Sequence, residues 1–311
     1  MSSRNLNNVQ EQTRFSNAEI DTIAKFVKDR LFQPKNKKKI SAFVCGADIK
    51  NSDTARSRMA KIFSEYPRYE VHYPENIFDN LLMGPKAHSL LSLENILADS
   101  VDVVIIFPES AGSLVELGAF ANHERLVGKL ICLPEKKFKN KKSFINYGPH
   151  RLIRSSRTGK IIPIDYNDLI CPHKKYDIYR EIDDAVTKIK KHHPAKTGIS
   201  NILETEGFIL SLIFIVDNIG NIELYKLLKS ATSHDEGLCE IAVKSSLSLL
   251  ISKRLITRTA SGYLITNQGS MQIRNEFKRS VLDGARSELM NKLFRRNSVV
   301  IYDRMRDDAH L

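Results

Sequence analysis

The sequence predicts an α/β fold built on a mostly parallel sheet, followed by a smaller α+β domain of helices and a β-hairpin. Three observations carry this. Short apolar runs alternate with helical periods between about residues 40 and 190, the pattern of buried strands joined by right-handed helical crossovers. Pro and Gly in His192-His-Pro-Ala-Lys-Thr-Gly-Ile-Ser200 interrupt that pattern. Beyond it, three helical periods lead into two β segments around Ala260-Ser-Gly262. At 311 residues and 42% hydrophobic content the chain suits one large or two medium domains. The boundaries read as 1–38 for an N-terminal helical extension, 39–192 for the α/β domain and 199–311 for the second domain with its C-terminal helices.

The elements follow in order. Ile20, Ile23, Ala24, Phe26, Val27 and Leu31 recur at helical spacing after Ser16-Asn-Ala-Glu19, whose Ser and Glu are placed as a capping box. Pro34 and the run Lys35-Asn-Lys-Lys-Lys39 end that helix. Ile40–Val44 is the first sheet strand, ending at Gly46, and Asp53–Phe63 the helix after it. Tyr69–Tyr73 reads as the second strand, Lys86–Leu97 as a helix, Lys129–Leu133 and Ile161–Ile164 as further strands, and Tyr176–Lys191 as a closing helix. Beyond the boundary, Ile209–Val216, Ile222–Ala231 and Glu236–Arg254 are helical, and Leu255–Thr266 folds as the hairpin. Three helices and a hairpin in this order are the winged helix-turn-helix layout.

The most informative segment is Val101–Phe120. Five apolar residues from Val103 to Phe107 suit a strand covered on both faces, Pro108 stops the ladder, and Ala111-Gly112 lets the chain reverse. Ser113 then caps a helix whose first turn carries Glu116. Ser113 and Glu116 have capping-box spacing, so the carboxylate has a purely structural reading. A second reading is chemical, because this strand end is where open α/β sheets bind ligands, and a carboxylate there can meet an electron-poor sugar carbon. Both readings stand at this point. Gly118 inside the helix costs about 1 kcal/mol against Ala unless something packs closely against it.

The string Pro108-Glu-Ser-Ala-Gly-Ser-Leu-Val-Glu-Leu-Gly-Ala-Phe120, with Ala98-Asp-Ser-Val-Asp102 before it and the Val44-Cys-Gly-Ala-Asp48 turn upstream, resembles the nucleoside deoxyribosyltransferase-like family. That resemblance implies a Rossmann-like sheet. More narrowly, the chain resembles retron effector proteins, in which such a domain precedes a winged helix and is encoded beside a reverse transcriptase and its multicopy single-stranded DNA (msDNA). The motif covers the strand-turn-helix around Glu116, and the order of elements extends the likeness over nearly the whole chain.

The resemblance implies that Glu116 attacks C1′ to form a covalent glycosyl-enzyme, which water or a second base resolves. The Asp that family members place six residues before the nucleophile falls on Ser110, with Glu109 beside it. The sugar-binding acid falls near Glu94 or Asn95. The first turn corresponds to Gly46-Ala-Asp48, where Asp48 would bind a hydroxyl, and the Gly112-Ser113 turn would hold a phosphate. With no Asp at position 110 to protonate a purine, NAD becomes the favoured substrate, since nicotinamide leaves an already cationic ring. The protein would then be a toxic N-glycosidase of an anti-phage retron, held in a higher-order assembly with reverse transcriptase and msDNA and needing no cofactor beyond NAD as substrate. An alternative is a DNA-binding regulator whose α/β domain senses a nucleotide.

Net charge +12 suits a polyanionic partner. From Lys136 to Lys160 there are nine Lys or Arg residues and no acid, with Phe138, Phe144 and Tyr147 interleaved; this reads equally as a solvated loop or a nucleic-acid contact. In the second domain Lys244, Lys253, Arg254 and Arg258 are the candidate DNA contacts, against which Asp235, Glu236 and Glu240 open the third helix with acid. Cys45, Cys132, Cys171 and Cys239 form no C-x-x-C pair, and His192-His193 lacks partners at ligand spacing, so no metal is expected. No apolar run approaches the roughly 18 residues of a membrane span and the N-terminus has no signal-peptide core, so the expected location is the cytoplasm.

Overall fold

The computed structural model describes residues 14–32, 39–75, 94–216, 218–232, 234–277, 280–289 and 291. Ser16 caps α1 (Asn17–Arg30), and Glu19 reaches back to the Ser16 N–H at 2.8 Å, completing the capping box that the spacing predicts. Every residue of β1 (Ile40–Cys45) is buried, as a strand between two helical layers must be. Thr54 caps α2 (Ala55–Ser64), after which come β2 (Tyr69–His72), α3 (Glu94–Ser100), the fully buried β3 (Val103–Ile106), α4 (Ala111–Asn122) and β4 (Leu130–Cys132). The basic segment folds into two short helices, α5 (Phe144–Tyr147) and α6 (Pro149–Ser155), before the edge strand β5 (Lys160–Ile161) and the long closing helix α7 (Pro172–His192).

The strands pair in parallel in the order β2-β1-β3-β4-β5. This sheet is α/β and mostly parallel, as the alternation of apolar runs predicts. One face, carrying Ala42, Val44, Val103, Ile105 and Ile131, packs on Met59, Ile62 and Phe63 of α2 and on Ile178, Ile182 and Val186 of α7. Because strand side chains alternate, Phe43 and Cys45 point to the other face, where Phe43 meets Phe120 of α4 edge-on at 6.5 Å. The order reverses between β1 and β3. In an open α/β sheet the crevice beyond the strand ends at such a reversal is the place for a ligand.

The remaining elements are α8 (Thr205–Ile215), apolar on every side and almost wholly buried, α9 (Asn221–Thr232), α10 (Glu236–Ser252), the antiparallel pair β6 (Ile256–Arg258) and β7 (Tyr263–Ile265), and α11 (Asn267–Glu276), with further helix over 280–289. The chain divides into two compact units: residues 34–204, and residues 1–33 together with 205–311. The N-terminal helix thus belongs with the C-terminal elements rather than standing as an extension. The first unit also runs past residue 192. Buried Asp102 accepts from the N–H of Ala195 at 3.4 Å and from that of Ser41 at 3.0 Å, and Asn201 donates to the carbonyl of Ser100 at 2.9 Å, so the stretch with Pro and Gly is tied down rather than a free linker.

The predicted helix from Lys86 begins outside the described residues. Among the described residues no helix is long and apolar enough to cross a membrane.

Candidate active site

The crevice at the β1/β3 reversal is built around one carboxylate that serves the backbone. Glu109 follows β3 and accepts from the N–H of Ala47 (3.2 Å), Ala55 (2.8 Å) and Arg56 (3.0 Å). It thereby ties the turn after β1 to the first turn of α2, where exposed N–H groups and the helix dipole favour a negative charge. Gly46 makes this closeness possible: a Cβ there would lie 2.7 Å from Arg56 Cβ and 2.9 Å from Glu109 Oε1.

The start of α4 differs from the sequence expectation by three residues. Ser110, extended at φ −139°, is the N-cap; its Oγ accepts from the Ser113 N–H at 3.2 Å, and Ser113 Oγ accepts from the Ser110 N–H at 3.0 Å. The capping box is therefore Ser110 with Ser113. Glu116 lies in the second turn and caps nothing, which removes the structural reading of its carboxylate. Among the described residues a Cβ at Gly118 would meet nothing within 4 Å, so tight packing does not account for it.

Glu116 instead faces Cys45, Arg56 and Glu75. Arg56 is 1% exposed and forms a fork to Glu75, with 2.7 and 2.6 Å bonds, while Nη1 donates to the carbonyl of Ala47 at 3.0 Å and the guanidinium lies 5.0 Å from the Tyr73 ring centre. Among the described residues its buried Nε has no hydrogen-bond partner. A buried donor left without a partner costs about 1–3 kcal/mol. Arg56, Glu75 and Tyr73 were not singled out from sequence, because each is separated from Glu116 by 40 or more positions and none sits in a recognisable motif, while Cys45 was read only as part of the turn after the first strand.

Burial pushes the Glu116 carboxyl up to about 7, against the Cys45 thiol and the Arg56 charge, which pull it down; the Glu75 charge adds to the rise. Burial and then the negative charge of Glu116 hold the Cys45 thiol well above its ordinary range. Burial also raises the Glu75 carboxyl, but its bonds to Arg56 outweigh that and leave it below the usual carboxylate value. Glu75 therefore stays ionised and locks Arg56. Glu116 is the acid poised near neutrality, the position expected of a carboxylate that acts chemically.

The other predicted positions scatter. Asp48 is exposed and accepts from the Lys50 N–H at 2.9 Å, closing its own turn. Ser110 Oγ donates to the carbonyl of Gly46 at 3.3 Å, and Gly112 is exposed at the start of α4. Glu94 and Asn95 open α3, but their side chains lie outside the described residues. Beyond the crevice, on the β4 side, a cavity of about 680 Å³ is lined by Ser110, Leu114, Phe138, Lys141, Asn146 and Tyr166 among others. The basic segment thus forms one wall of a pocket rather than an open loop.

In the other unit, Lys244 pairs with Glu240 at 2.5 Å and Lys253 with Glu206 at 2.9 Å. Arg254 follows the end of α10 in a left-handed conformation (φ 57°), and Arg258 is exposed on β6. The C-terminal stretch is basic as well, but its Lys278, Arg279, Lys292, Arg295 and Arg296 lie outside the described residues.

Residues 51–258 match the family described as STM3845 retron effector protein. The chain is 40% identical over 274 residues to an Escherichia coli protein named "Retron Ec86 putative ribosyltransferase/DNA-binding protein", covering 86% of this chain and 89% of that one. It is 30% identical over 256 residues to the Escherichia coli "Retron Ec73 putative ribosyltransferase/DNA-binding protein", covering 76% and 80%.

Proposed function

Because the chain belongs to the STM3845 retron effector family, we propose that it is the toxic arm of an anti-phage retron and that it cleaves the N-glycosidic bond of NAD at Glu116. Its α/β unit is read as nucleoside deoxyribosyltransferase-like and its second unit as a winged helix that meets the msDNA of a reverse transcriptase complex. The names of both relatives pair ribosyl transfer with DNA binding. The observation that carries the reading is Glu116: a carboxyl released from any capping role, raised to about 7, at the switch point of a parallel sheet.

Ionised Glu116 attacks C1′ of the nicotinamide riboside half, and the bonding pair of the C1′–N bond leaves with the ring as neutral nicotinamide. Water then attacks C1′ of the glycosyl ester, Glu116 leaves as a carboxylate, and one proton is released with ADP-ribose. In this reading Arg56, whose charge lowers the Glu116 carboxyl, neutralises charge beside it while Glu75 fixes its orientation. A purine leaving group would need a general acid. Glu109 is committed to three backbone N–H groups and Ser110 to the cap, which favours a leaving group that needs no proton.

The test is chromatography of NAD and a deoxynucleoside mixture incubated with the protein. NAD should be consumed, with nicotinamide released, faster than any deoxynucleoside, and Glu116→Gln should abolish this while leaving the circular dichroism spectrum unchanged. Base exchange on deoxynucleosides with NAD untouched would assign ordinary transferase chemistry. Growth arrest on expression, lost with Glu116→Ala, separates the enzyme from a regulator that only senses a nucleotide.

A further inference from the structure

The cavity beside the crevice is separate from the Glu116 cluster yet shares a border with it. Ser110 and Glu109 line its near side, and Ser110 is the cap of the helix that carries Glu116. Six positions separate Ser110 from Glu116, about 9 Å along the helix axis. Between them the first turn of α4 presents exposed Ala111 and Gly112, with nothing among the described residues within 4 Å of where a Gly112 Cβ would stand.

The walls are mostly apolar: Pro108, Leu114, Pro134, Phe138, Ile145 and Tyr166. Their polar groups are largely committed to the fold. Asn146 Nδ2 donates to the carbonyls of Phe138 (3.2 Å) and Lys141 (2.6 Å), its Oδ1 lies 2.7 Å from His150 Nδ1, and the Tyr166 hydroxyl donates to the carbonyl of Leu133 at 3.1 Å. Burial, then the Arg154 charge, hold His150 down at about 4, so it is neutral at pH 7. The cavity therefore offers mostly apolar walls to the faces of a planar ring and few free polar groups to read its edge. Cation charge stands at one side. Lys137 is offset by Glu135 at 2.5 Å, whereas Lys141 is held over the Phe138 ring at 4.8 Å.

We propose that this cavity is a second nucleotide subsite, holding the base and ribose of the distal half of a dinucleotide while Lys141 and the first turn of α4 receive the phosphates. The inference rests on the Glu116 reading for its dinucleotide, and it gives the protein a reason to prefer NAD over nucleosides: a free nucleoside fills only the Glu116 side.

Calorimetric titration of AMP into the full-length Glu116→Gln protein tests the cavity without glycosidic chemistry. AMP should bind at one site, and Leu114→Trp, which fills the cavity from a surface-accessible position on α4, should weaken it by about tenfold or more, the loss expected when a ring can no longer stack. Lys141→Ala should weaken AMP more at low salt than at high salt. In otherwise wild-type protein, Leu114→Trp should lower the ratio of kcat/KM for NAD to that for nicotinamide riboside by a similar factor. AMP that fails to bind, or binds Leu114→Trp as well as the parent, would overturn the subsite. AMP held in the cavity by a protein that cleaves no glycosidic bond would retain the subsite and remove the Glu116 reading, whereas cleavage of NAD with no AMP binding would do the reverse.

Discussion

Glu116 and Gly46 show how single residues set this site. A carboxyl raised from its unfolded value of 4.5 to about 7 holds its proton in the folded state over a range where the unfolded chain has released it. The folded state binds more protons there, so this group's contribution to stability falls as pH rises from about 4.5 to 7 and is flat above. Glu116→Gln should therefore raise the melting temperature relative to wild type at pH 8, with the difference vanishing near pH 4. A constant difference across that range would place Glu116 in water. Turnover has the opposite slope, because the nucleophile is the ionised form, and should rise through pH 7. Gly46→Ala drives a Cβ into Arg56 and Glu109, both fixed by hydrogen bonds. The expected cost is about 1–3 kcal/mol, read by urea unfolding, with NAD turnover falling further than stability accounts for.

At the scale of elements, the strand-turn-helix at 103–122 was legible because an apolar run, a Pro and a Gly leave few alternatives. The register of its cap was not: Ser110 and Ser113 are both good N-caps, and only the extended backbone of Ser110 decides between them. Arg56 and Glu75 were illegible for a different reason, since what brings them to Glu116 is the pairing of β1 with β2 and with β3, contacts between distant stretches. The basic run at 136–160 announced its charge but not its folding into α5, α6 and a cavity wall. In α10, Lys244 is paired within one turn to Glu240. If α10 lies on msDNA, Glu240→Gln should raise affinity several-fold and steepen the dependence of log K on log salt by about one unit, as one cation is freed for phosphate. Unchanged affinity and slope would move the contact to Arg254, Arg258 or the other unit.

At the scale of the molecule, sequence order and spatial order part company at the N-terminus. Ile20, Ile23, Ala24, Phe26 and Val27 of α1 are buried, and the polar anchors around them reach forward by about two hundred residues: Arg14 pairs with Glu223 at 3.2 Å, Lys28 Nζ donates to the carbonyl of Ala231 at 2.7 Å, and Ser230 Oγ donates to Asp21 at 2.7 Å. Nothing local marks this, because an amphipathic helix shows which face it buries and not what covers it. The consequence is a division of labour that deletion can read. Removing residues 1–33 uncovers the apolar face that α1 buries on the C-terminal elements, at a cost of roughly 1.5–3 kcal/mol for each large side chain lost. That unit should melt earlier and lose salt-sensitive DNA binding, while Glu116, Arg56, Glu75 and the cavity, all within 34–204, should keep cleaving NAD. Hydrogen exchange on the deleted chain would locate the loss of protection in α9 rather than in β1 or β3. Collapse of NAD cleavage with DNA binding intact would instead join the N-terminal helix to the catalytic unit, as its place in the sequence implies.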